Sequence, residues 1–296
     1  MNWFRKNLVN IILIGLMFIG AGLIIYPSFS DYWNSFTQSR VIMSYADSIS
    51  SMDPEEYERI MSSARQYNEE LKEKESRWMM TEEEQSRYMS ELNADGHGSM
   101  GYITIPKVDI MLPVYHGTEE KVLRSAIGHI EGSSLPVGGE GTHCVLSGHR
   151  GLPSAKLFTD LDKLKEGDTF TLTIMNEMLT YQIDQVRIVD PTDYSLLQLE
   201  EGADYCTLLT CTPYGINTQR LLVRGKRIAN PNGEAKVVAD AIQVEATYVA
   251  PFIAVPIIFV LLLWMVIAAR ARRIDRLRME RARETLRRRK RRNRKS

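Results

Sequence analysis

The sequence predicts a mainly β domain held between two membrane-spanning helices, and three observations carry that expectation. Short strand-like runs follow one another from residue 101 to residue 226, broken by Gly, Pro and Asp. Two long apolar segments, 8–26 and 248–269, bracket them. Charge is also partitioned along the chain. The 37 basic and 37 acidic residues cancel overall, yet 270–296 holds fifteen Lys and Arg against three acids, and 31–269 holds 20 against 34. Such separation calls for a barrier between the parts.

The elements follow in order. Residues 1–7 form a short N-terminus with Arg5 and Lys6, and 8–26 contains one polar side chain, Asn10. The segment 248–269 has no charge, and Pro251 and Pro256 near its start are tolerable in a membrane helix. Both segments reach the length of about 20 residues that crosses a bilayer as a helix. The basic start and apolar core of the first also fit a secretory signal. Its core is long for that and no small-x-small site follows, which favours an uncleaved anchor. Arg5, Lys6 and the basic tail place both termini in the cytoplasm and the acidic middle outside. The tail 270–296 borders a membrane span, so membrane lipid, not nucleic acid, is its expected contact.

Residues 31–100 are expected to be helical. Asp53-Pro54-Glu55-Glu56 caps one helix, and Tyr57, Ile60, Met61, Ala64, Tyr67 and Leu71 follow at helical spacing. Thr81 with Glu84 opens a second helix, reaching about residue 92, with a capping-box pattern. The pair reads as a layer beside the main domain. Strands are expected at 101–105, 111–115, 142–147, 169–174, 180–189, 205–210 and 220–226, with a short helix or turn at 154–161. Seven such runs with few helices suggest a closed barrel or a sandwich over 101–230, followed by a linker at 231–247.

Three side chains stand at strand ends with complementary chemistry. Cys211 closes the run Thr207-Leu208-Leu209-Thr210 before the turn Thr212-Pro213-Tyr214-Gly215. His149 follows Cys144-Val145-Leu146-Ser147-Gly148, and Arg220 opens Leu221-Leu222-Val223. A thiol, an imidazole and a guanidinium are the parts of a cysteine acyl-transfer site, with nucleophile, general acid and base, and oxyanion donor. Strand alternation puts Cys211 with Leu209 and Thr207, and Cys206 on the opposite face. Any single cysteine or histidine is more often inert packing, so the combination carries the reading. His143 has the right chemistry next to a strand, and Arg224 shares the parity of Arg220, so both compete. Cys144 and Cys206 are expected as buried thiols, the alternative being one bridge. No histidine pair has zinc-ligand spacing, so no metal and no cofactor are expected.

The segments Thr207-Leu208-Leu209-Thr210-Cys211, Gly148-His149-Arg150-Gly151 and Asn217-Thr218-Gln219-Arg220-Leu221 resemble those of sortases, and 101–228 resembles the pilus-assembling class C. The resemblance implies an eight-stranded β-barrel. It assigns Cys211, His149 and Arg220 the roles above and makes Leu209 and Thr210 substrate contacts. It also implies cleavage of an LPXTG-like sorting signal between Thr and Gly, a thioester on Cys211, and transfer to a pilin lysine. Many class C members carry an Asp-Pro-aromatic lid before the first barrel strand, and 71–100 lacks that motif. Trp78 or Met79, apolar between two charged helices, could plug the site instead. Two other readings stand beside this one: a sortase anchoring surface proteins to peptidoglycan, and a non-catalytic tethered binding domain on the same fold.

Overall fold

The computed structural model describes residues 2–230, together with positions 259, 260, 263 and 264. The expected linker 231–247, most of the second span 248–269 and the tail 270–296 lie outside the described residues. Eight strands form one closed barrel: β1 (Ser99–Ile105), β2 (Ile110–His116), β3 (Ile127–His129), β4 (Thr142–Ser147), β5 (Thr169–Ile174), β6 (Glu177–Val189), β7 (Asp204–Thr212) and β8 (Gln219–Ile228). Around the wall they run β1-β2-β3-β4-β7-β8-β6-β5, and β5 closes onto β1. Two pairs are parallel, β2 with β3 and β4 with β7. Closure removes the unpaired edges that an open sheet would leave.

Each of the seven expected runs is a strand, and the eighth is β3, three residues that leave no room for a period-2 pattern. Residues 154–161 form turns around an isolated bridge between Leu152 and Ala155. The barrel interior is apolar, filled by Ile103, Val114, Leu146, Phe170, Leu208 and Val223 among others. Cys144 and Cys206 pair in register inside it as free thiols, without a bridge.

Three helices precede the barrel. The first, α1 (Asn2–Ser50), is longer than the expected anchor 8–26. Pro27 lies inside it, so the end of the apolar run is not the end of the helix. Its apolar part, with a mean hydropathy of 2.1, is long enough to cross a membrane and is not buried by the protein. Its later part continues because Ile42, Tyr45 and Ile49 bury a stripe on the barrel. In α2 (Pro54–Lys72), Asp53 caps the start by accepting from the Glu55 N–H at 2.8 Å. In α3 (Glu82–Ser90), Thr81 and Glu84 form the reciprocal capping box. Met61, Ala64, Tyr67 and Leu71 of α2 and Tyr88 of α3 share the core cluster of the barrel, so these helices complete its core from outside the wall.

Candidate active site

The site follows from strand register. In the parallel pair β4–β7, Cys144 stands beside Cys206, Leu146 beside Leu208, and Ser147 beside Leu209. The ladder continues past the end of β4, where the Gly148 N–H donates to Leu209 O at 3.1 Å. The Thr210 hydroxyl then donates to Gly148 O at 2.8 Å. His149 and Cys211 are therefore carried to the same end of adjacent strands. On the other side of β7, the antiparallel register pairs Cys211 with Arg220 of β8. The thiol thus stands between the imidazole strand and the guanidinium strand, with about 5 Å between paired backbones.

Alternation decides which face they share. Cys206, Leu208, Leu221 and Val223 belong to the interior core. Val145, Leu222 and Leu197 form a second apolar cluster, with Leu209, Val189 and Trp78 packed against it. Cys211 has the parity of Leu209, and Arg220 that of Leu222, so the candidate site faces the outer wall of the barrel. Leu209 lines the apolar floor beside Cys211. Thr210 points inward and holds the His149 turn, so its hydroxyl supports the site from beneath.

The competing residues are accounted for elsewhere. His143 is buried, its Nδ1 donates to Gln198 O at 2.8 Å, and its Nε2 accepts from the Thr207 hydroxyl at 2.7 Å. Burial pushes its pKa down to about 4, which leaves it neutral and sealed. His116 and His129 are buried and bonded to backbone carbonyls, and His97 is exposed in the loop before β1. The side chain of His149 is 31% exposed. Arg224 forms a two-point pair with Asp184 at 2.8 and 3.1 Å and lies over the Tyr205 ring. Arg220 donates to the carbonyls of Asn217 and Gln219 at 3.3 and 3.1 Å, and no carboxylate among the described residues pairs with it. Its charge remains available to an anionic oxygen. Burial pushes the Cys206 thiol well up, and Cys144 lies beside it in the sealed interior. Cys211 is the one cysteine with access to solvent.

Other functional contacts had no sequence signal. Glu120 Oε2 lies 3.8 Å from His149 Nε2, and its bond to Arg124 holds that carboxyl below the usual range. Arg150 ties the histidine turn down through Asp162 at 2.6 Å and Thr212 at 3.4 Å. Trp78 lies over the outer cluster, 5.5 Å from the Tyr194 ring, whereas Met79 is 81% exposed and touches neither cluster. The anchor for Trp78 is its neighbour Arg77, which is buried and donates to Gly132 O, Leu197 O and Gln198 Oε1. A Cβ on Gly132 would stand 2.3 Å from Arg77 O, so this close approach requires glycine. The segment between α2 and α3 is thereby stapled across the outer face. Among the described residues no cluster of His, Cys, Asp and Glu could hold a metal ion.

A solvent-accessible cysteine with histidine and arginine at neighbouring strand ends is a candidate cysteine acyl-transfer site on a β-barrel. The comparisons with known proteins point to one family. The Sortase domain signature matches residues 103–228. Sortase D of Bacillus subtilis is 33% identical over 131 residues, 43% of this chain and 63% of that protein, so the match spans less than two thirds of that relative. Sortase C1 of Streptococcus agalactiae shares 56% identity over 64% of this chain and 99% of its own, with a TM-score of 0.63. Sortase C of Clostridium perfringens, solved with the C-terminal cell wall sorting motif, shares 41% identity over 64% and 99%, with a TM-score of 0.57. The chain belongs to the sortase family of cysteine transpeptidases, and the solved structures it resembles include several class C sortases.

Proposed function

We propose that this protein is a membrane-anchored class C sortase that joins pilin subunits outside the cell. Cys211 attacks the threonyl carbonyl of an LPXTG-like sorting signal, and Arg220 stabilises the oxygen as it becomes negative. His149 protonates the departing glycine amine, and the acyl group remains as a thioester on Cys211. The thioester conserves transfer potential without ATP. A pilin lysine amine, deprotonated by His149, then displaces the thiolate and forms an isopeptide bond. Leu209 and its outer-face neighbours take the apolar part of the signal. The position of Cys211, in register with Arg220 and beside the strand that leads into His149, carries this reading.

The apolar part of α1 supports membrane attachment, and the basic residues Arg5 and Lys6 and the basic tail 270–296 favour a barrel outside with both termini inside. The stapled Arg77–Trp78 segment covers the apolar floor in the resting state and must yield to substrate. The deciding experiment incubates the full chain with an LPXTG-type peptide and seeks the acyl-enzyme by intact mass. An adduct on Cys211 that is absent from Cys211→Ala, and is discharged by a lysine-bearing pilin, supports the proposal. No adduct even after Trp78→Ala points to a binding module, and discharge only by a peptidoglycan amine points to wall anchoring.

A further inference from the structure

Residues 31, 34, 38, 42, 45 and 49 of α1 recur at three- and four-residue spacing and share one helical face. The far end of this stripe is apolar and buried. Tyr45 Oη there donates to Met100 O at 2.9 Å and accepts from the Met175 N–H at 2.7 Å. The near end, next to the membrane-length segment, is polar, and each of its side chains meets a backbone group near His149. Asp31 Oδ1 accepts from the Lys156 N–H at 2.6 Å. Asn34 Nδ2 donates to Ser154 O at 2.7 Å. Gln38, only 8% exposed, donates through Nε2 to Ser125 O at 2.7 Å.

Those three backbone groups belong to the two segments that flank the imidazole. Ser154 and Lys156 lie in the loop that leaves His149 and returns where the Phe158 N–H donates to His149 O at 3.1 Å. Ser125 follows α4 (Glu120–Leu123), whose first residue faces His149 Nε2. One helix face therefore holds both the loop that follows His149 and the segment that follows α4.

We propose that Asp31, Asn34 and Gln38 are positioning residues for His149, so that the helix carrying the membrane-length segment also sets the imidazole beside Cys211. This rests on the reading of Cys211 and His149 as the catalytic pair. The bonds go to main chain, so they fix the path of the loop and not a single rotamer. Losing one lets the loop drift, and a displacement of about 1 Å at a reacting group costs up to about 100-fold in rate.

The test uses the full chain in lipid nanodiscs with Asp31→Leu, Asn34→Leu, Asp31→Asn, and Arg40→Ala as the control on the opposite face of α1. Transpeptidation kinetics and amide hydrogen exchange of residues 149–158 are measured together. The expected result is a fall in kcat of about ten-fold or more for the two leucine variants, with KM within two-fold and Tm unchanged. Loop exchange rises about ten-fold in the same variants. Asp31→Asn, which keeps an acceptor oxygen, and Arg40→Ala stay near wild type. Unchanged loop exchange in both leucine variants overturns the proposal whether or not the protein is active. So does a kcat loss that tracks a lowered Tm. A wild type that forms no thioester overturns the catalytic reading instead, and the exchange data still decide the grip.

Discussion

Replacing His143 with glutamine tests the electrostatics of the barrel wall that carries the candidate site. His143 is sealed between Gln198 O and the Thr207 hydroxyl, and burial holds its pKa near about 4, against about 6.5 in an unfolded chain. A histidine depressed in this way binds fewer protons folded than unfolded. Its contribution to stability is therefore complete above about pH 6.5 and is lost as pH falls towards about 4. The shift of about 2.5 units corresponds to about 3 kcal/mol across the whole window, and about 2 kcal/mol of that is gone by about pH 5. The assay is urea unfolding of the full chain in detergent micelles, at pH 8, 6.5, 5 and 4.5, for wild type and His143→Gln. His116, also pushed down by burial, and Asp204, pushed up by burial, are common to both proteins and drop out of the difference. The wild type should lose about 2 kcal/mol more than the variant between about pH 8 and about pH 5. Parallel curves for the two proteins would refute the sealed, neutral imidazole. At neutral pH the variant should keep kcat within about ten-fold of wild type, since His143 faces no reacting atom.

The other expectations concern the wall around Cys211. Arg220→Lys should lower kcat by about 100-fold as an oxyanion donor is lost, whereas Arg224→Lys, which disturbs the Asp184 pair and the Tyr205 stacking, should leave kcat near wild type; equal losses would remove the distinction. Trp78→Ala should raise hydrolysis of a sorting peptide several-fold by uncovering Leu209 and Leu222, and an unchanged rate would show that the segment does not block the groove. Gly148→Ala places a Cβ 2.6 Å from Ile127 Cδ1 and 2.7 Å from the Phe158 ring. The overpacking should cost about 1–3 kcal/mol in thermal unfolding and move the His149 turn enough to lower kcat as well.

The sequence showed most of what alternation and capping can show. Seven strands and the starts of α2 and α3 were legible because each depends on side chains within a few residues of one another. The placement of Cys211, His149 and Arg220 at or just beyond strand ends was legible because a turn signal lies next to or within a few residues of each, Gly148 before His149, Pro213 after Cys211 and Gly215 before Arg220. β3 was not, since three residues carry no period, and it pairs only because β2 and β4 bracket it. The length of α1 was hidden because the apolar run ends at residue 26, while the later stripe of Ile42, Tyr45 and Ile49 is sparse and broken by polar residues. Arg77 looked like one charge among many between two charged helices. Its burial against Gly132 and Leu197 depends on loops 55 and 120 residues away, which no local pattern encodes.

The placement of the three candidate groups, just past the end of β4 and on β7 and β8, also bears on timing. His149 and Cys211 are 62 residues apart along the chain, and what joins them is a parallel strand pairing. Parallel pairing across so long a loop closes late, because the loop entropy is lost before the contacts are gained. A nascent or extended chain therefore carries an ordinary thiol with no imidazole beside it. On the proposed assignment, the nucleophile and its acid–base partner meet only once this long-range pairing has formed, so folding itself would keep the thiol quiet until then.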